Sequence, residues 1–206
     1  MVQLSDRWND LAARLGWPDR LSVETWQWLA TQYQEPHRYY HRLSHISAMF
    51  DGGGGLFWRE PDAVALAIFF HDVIYDPARV DNEMRSAEAT YQRLSDCLDV
   101  SLLDKVAALI EATKTHRGTG DTDTDQFLDL DMAILGASWA DYALYADGVR
   151  QEYEPVYGIE TYRMGRVTRF IEPMLATERL FLTPAFQPLD TKARANLQRE
   201  LATLRR

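Results

Sequence analysis

Cysteine is almost absent: Cys97 is the only one in 206 residues. That excludes an internal disulfide and a cysteine-based zinc site, and it suits a reducing compartment. Positive charge is also short, with 22 Lys and Arg against 31 Asp and Glu and a formal net charge of −9. Such a surface repels a long polyanion, so no nucleic acid polymer is expected as a partner. A small anionic substrate needs only a local basic cluster. The opening MVQLSDRWNDLAARLGW has no basic segment followed by an apolar run, so no signal peptide is expected. No apolar run approaches bilayer length; residues 63–70 fall far short. The expectation is a soluble, cytoplasmic protein without a membrane partner. Strand-like alternation and internal repeats are missing as well.

What is present is a large apolar and aromatic complement. Hydrophobic residues make up 46%, including six Trp and ten Tyr, enough packing surface to exclude disorder. The spacing predicts helices throughout. Ser5 is expected to cap a helix with Leu4, Trp8, Leu11, Ala12 and Leu15 on one side, closed by Gly16 and Pro18. Ser22 is expected to open the next. Pro36 sits where a third begins, carrying HRYYHRLSHISAMF, and the run from Gly52 to Gly55 ends it. Pro61 starts an apolar helix running into FFHD, and Pro77 stops or bends the chain beyond. Further helices are expected over 82–98, from Ser101 onward, and over 138–153, 159–175 and 190–205, with GTGDTDTD as a loop. No linker stands out, so the expectation is one all-α domain over 1–206.

The chemistry-bearing residues sit in odd places. His71 and Asp72 close a nearly wholly apolar helix, and Asp129 and Asp131 interrupt the apolar stretch FLDLDMAILG. Burying a charge is costly unless something pairs with it. Each case has an ordinary explanation: His71 at a helix C-terminus, Asp129 as an N-cap. His37, His41 and His45 recur every four residues, which a polar helix face explains equally well. A divalent cation accounts for these oddities together, because imidazole and carboxylate suit first-row metals. The set is then His45, His71, Asp72 and Asp131.

The order His … His-Asp … Asp on a helical chain resembles the HD-domain superfamily of metal-dependent phosphohydrolases, in particular a bacterial branch of predicted phosphohydrolases. The stretches that carry the resemblance are YYHRLSHI, ALAIFFHDVIYDP, DNEMRSA and FLDLDMAILG, continued in YALYADGVRQEY, MGRVTRFI and ARANLQREL. It implies an HD-type helical bundle with additional N- and C-terminal helices and a motif core of about residues 36–136. It assigns His45 to the first histidine, His71 and Asp72 to the central pair, and Asp131 to the last ligand, with Asp129 as fallback. The implied cofactor is a divalent metal ion: Mn, Fe, Co, Ni, Zn or Mg. The implied reaction is hydrolysis of a small phosphorylated compound, such as a nucleotide, by metal-activated water. Glu83, His116 and Asp76 are the candidates for handling protons. His41, Arg42, Arg85, Lys114 and Arg117 are the candidates for binding phosphate, arginine because its fork matches the oxygens. The surplus histidines His41 and His116 also fit a di-iron oxygenase on the same scaffold. A non-catalytic sensor of metal and nucleotide is the third reading.

Overall fold

The computed structural model describes residues 3–205. Among the described residues every regular element is helical, as the spacing predicts. The chain divides into two compact units, Met1–Arg117 and Gly118–Arg206. No helix among the described residues is long and apolar enough to cross a membrane.

The first unit contains α1 (Leu4–Arg14), α2 (Asp19–Gln32), α3 (Leu43–Gly53), α4 (Pro61–Phe70), α5 (Asn82–Leu94) and α6 (Val100–Ala112). Helix α4 is its centre and packs on α3, α5 and α6. Leu66, Ala67, Ile68, Phe69 and Phe70 are all buried. That is more than one full turn, so this part of α4 has no solvent face. Each of its larger side chains contributes roughly 1.5–3 kcal/mol by leaving water. Trp8 ties α1 and α2 to this core. Its indole N–H donates to the Ser22 carbonyl at 3.0 Å, and its ring meets Phe69 edge-on at 5.1 Å.

Several helix starts differ from the sequence expectation. Gln3, not Ser5, caps α1, in a reciprocal box with Asp6. Helix α2 begins at Asp19 after Pro18, which leaves Ser22 buried inside it. Asp99, not Ser101, precedes α6, two residues before the expected cap. The largest difference lies at Pro36. No regular helix forms until Leu43, because residues 35–42 make turns around the buried side chain of Arg38.

The second unit contains α7 (Thr122–Asp131), a 3-10 turn (Met132–Gly136), α8 (Trp139–Tyr157), α9 (Ile159–Gly165), a π-helical turn (Arg166–Ile171), α10 (Glu172–Ala176), a second 3-10 turn (Gln187–Leu189) and α11 (Asp190–Leu204). GTGDTDTD is only half loop. The Asp121 carboxylate accepts the Thr124 amide at 2.9 Å and starts α7 inside that stretch. Gly136 lets the first 3-10 turn approach Leu189 closely, since a Cβ there would lie 2.6 Å from the Leu189 Cβ. Asn196 of α11 clamps the same segment, donating to the Leu135 carbonyl at 2.8 Å and the Ala137 carbonyl at 3.1 Å.

Candidate metal centre

Helix α4 ends at Phe70, and this ending makes the site. On a continuing helix His71 and Asp72 would point in different directions. Here His71 is the C-cap residue and Asp72 lies in the turn beyond, so the two side chains converge. His71 Nε2 stands 3.1 Å from Asp72 Oδ2. His45, in the first turn of α3, brings its Nε2 to 3.3 Å from His71 Nε2. One donor atom from each residue lies within 4.8 Å of the others. Both histidines are buried and Asp72 is half-buried.

The donor chemistry fits a cation. His71 Nδ1 lies 3.1 Å from the Ile68 carbonyl. A carbonyl can only accept, so Nδ1 carries a proton in that bond, and when the ring is neutral Nε2 presents its lone pair. That lone pair faces a carboxylate oxygen and a second imidazole nitrogen. With both Nε2 atoms unprotonated, three electron-rich atoms at this spacing repel one another unless a positive charge lies among them. Metal–ligand bonds of about 2.0–2.2 Å leave neighbouring donors about 3 Å apart, close to the 3.1 Å of His71 to Asp72 and the 3.3 Å of His45 to His71. A histidine fixed through its second nitrogen is also how metal-binding imidazoles are oriented.

The turn after the pair is held by side chains at every carbonyl from 72 to 76. Arg38 donates to Asp72 at 2.7 Å and to Val73 at 3.0 Å. Ser86 donates to Ile74 at 3.2 Å, His37 Nε2 to Tyr75 at 2.9 Å, and Asn82 to Asp76 at 2.9 Å. One turn upstream, the Tyr33 hydroxyl donates to the Phe69 carbonyl at 2.9 Å. Sequence reasoning missed this support. Its acceptors are backbone atoms, and backbone acceptors leave no mark in a sequence.

The other sequence candidates are placed as follows. His41 precedes α3 rather than lying on it. Its ring centroid is still 6.1 Å from that of His45 and 4.4 Å from that of Tyr75. Exposed Arg42 donates to the Arg38 carbonyl and lies over the Tyr39 ring. Asp76 accepts the Ala78 amide at 2.9 Å, a turn-forming role. Glu83 and Arg85 occupy the first turn of α5, half-buried and exposed respectively. Lys114 donates to the Val80 carbonyl at 2.9 Å, and Arg117 is exposed. His116 is half-buried with φ 49°, a left-handed conformation uncommon for histidine.

Asp131 ends α7 in the second unit, whereas the three-residue cluster is drawn wholly from the first. Asp129 has a different task from either one expected of it. Its carboxylate accepts the Leu182 and Thr183 amides at 2.7 Å each and the Thr183 hydroxyl at 2.6 Å. Burial raises its pKa, and these three bonds oppose the rise. It is not the N-cap of α7, which is Asp121; it ties down a loop more than fifty residues away.

No family model, no curated protein and no solved structure matches the chain.

Proposed function

We propose that the protein is a metal-dependent phosphohydrolase of the HD type, acting on a small phosphorylated compound. The observation that carries this reading is the convergence of His45 Nε2, His71 Nε2 and Asp72 Oδ2, with the His71 tautomer set by Ile68. His45, His71 and Asp72 would hold the ion. A divalent cation supplies a water nucleophile at neutral pH and polarises a phosphoryl oxygen. Glu83 and His116 are the proton-handling candidates that this reading favours, because Asp76 already accepts the Ala78 amide. His41, beside His45, and Arg42, Arg85, Lys114 and Arg117 are its candidates for engaging phosphate oxygens.

The test has two parts. Elemental analysis of the untagged protein should find about one equivalent of a divalent metal, lost in His71→Ala. Phosphomonoesters, nucleotides and cyclic nucleotides are then assayed with Mn, Fe, Co, Ni, Zn and Mg in turn. Turnover should depend on the metal and vanish in Asp72→Asn. Bound metal with no turnover of any compound would replace the hydrolase with a sensor. Two irons per chain with oxygen consumption would replace it with an oxygenase.

A further inference from the structure

We propose that Arg38 is a positioning residue that sets the affinity and coordination geometry of the metal centre. This inference rests on the metal-binding reading above. The Arg38 side chain is fully buried. Its Nε donates to Glu35 Oε2 at 2.9 Å. One terminal nitrogen donates to the His41 carbonyl at 3.2 Å and the Asp72 carbonyl at 2.7 Å; the other donates to the Val73 carbonyl at 3.0 Å. The guanidinium therefore joins two segments that carry ligands. One leads through His41 into α3 and His45; the other is the turn of which Asp72 is itself a part.

The bond to the Asp72 carbonyl fixes the backbone of a ligand residue. Holding that carbonyl restrains the backbone at Asp72 and so the Cα from which its carboxylate reaches toward His71 Nε2. The ring faces of Tyr33 and Tyr75 flank the guanidinium, with centroids 5.1 and 5.3 Å from its central carbon. They limit its tilt as well as its reach. A lysine keeps the charge but has no planar fork, so it cannot span both segments while lying between two rings. Arg38 supplies no ligand atom to the cluster, and its effect is expected through the ligands alone.

The test measures binding of Mn²⁺ and Co²⁺ to the full chain by calorimetry, with the visible spectrum of bound Co²⁺ reporting coordination geometry. Arg38→Lys should bind 10- to 100-fold more weakly, the range seen when outer-sphere partners of metal ligands are removed, and its Co²⁺ spectrum should change. Glu35→Gln, at a half-exposed site, keeps the protein folded even where Arg38→Lys does not. It loosens only the Nε anchor and should weaken binding about threefold to tenfold at unchanged helicity. Leu94→Ala opens a cavity in the same unit, at a fully buried position remote from the turn carbonyls in sequence. It should leave affinity within about threefold, because it lowers stability without moving a ligand. Recovery of metal binding by Arg38→Ala in millimolar guanidinium would add direct support. Unchanged affinity in both Arg38→Lys and Glu35→Gln would overturn the proposal and leave the metal reading intact. So would a loss in Leu94→Ala as large as in Arg38→Lys. A parent protein that binds neither ion would overturn both.

Discussion

Among the described residues each unit buries one arginine, and the two are used in different ways. Arg38, in the first unit, directs three of its hydrogen bonds at peptide carbonyls and one at Glu35. Arg166, in the π-helical turn of the second, is paired with a carboxylate. It donates to Glu200 Oε1 at 2.9 Å and Oε2 at 3.2 Å, and to the Tyr145 hydroxyl at 3.2 Å. Tyr142 donates to the same Glu200, and the Phe170 ring lies 4.1 Å from the guanidinium. Burial pushes the Tyr145 and Tyr142 phenols up, so both stay protonated and able to donate. Burial alone would lower the pKa of Arg166, but the paired Glu200 carboxylate outweighs it and keeps the cation. An arginine closed on a carboxylate holds packed helices together. An arginine spread over carbonyls shapes a turn, and shaping a turn is what a ligand set requires.

That contrast predicts where each region breaks. The largest effect belongs to the carboxylate pair. Glu200→Leu leaves Arg166 buried without its counter-charge and should cost about 3–5 kcal/mol in urea unfolding. Adding Arg166→Met should recover much of the loss. A cost for Glu200→Leu no greater than for the exposed pair Arg20–Glu24 would erase the distinction drawn here. Next, Gly136→Ala drives a methyl group into Leu189. It should destabilise by about 1–3 kcal/mol, whereas Gly55→Ala, with open space around it, should not. Tyr33→Phe removes one neutral donor from the Phe69 carbonyl. It should cost about 1 kcal/mol and weaken metal binding less than Arg38→Lys does.

The smallest effect concerns acid. Burial pushes the Asp190 carboxyl up, but the Leu180 amide at 2.6 Å and Arg194 at 2.7 Å prevail and hold it below its ordinary value of 3.8. A lowered folded pKa means stability that is present above that ordinary value and lost as pH falls through the folded one. Asp190→Asn should therefore lower the melting temperature slightly at neutral pH and flatten its drop below about pH 4, the two proteins converging in acid. An unchanged acid limb would remove Asp190 from the account.

How much of this was legible in advance depends on who the partners are. Helix α4 was legible because its apolar run after Pro61 admits no other burial pattern. His45, His71 and Asp72 were legible as a set because their residue types are out of place near buried chain. The helix expected from Pro36 was wrong for a physical reason. Four-residue spacing of His37, His41 and His45 imitates a helix face. The turns that form instead let Arg38 reach carbonyls on both sides, and His41 still comes beside His45 through the turn. Asp129 was misjudged because its donors, Leu182 and Thr183, are far away in sequence.

The sequence by itself determined the helical class, the central apolar helix and the residue types able to hold a cation. Those follow from periodicity and from the cost of burying charge, both local properties of the chain. Only the tertiary structure decided that α4 stops at Phe70, so that adjacent His71 and Asp72 converge, and that Arg38 holds the turn beyond them. Convergence of side chains and capture of backbone carbonyls depend on distances between segments remote along the chain. Composition and spacing do not encode those distances.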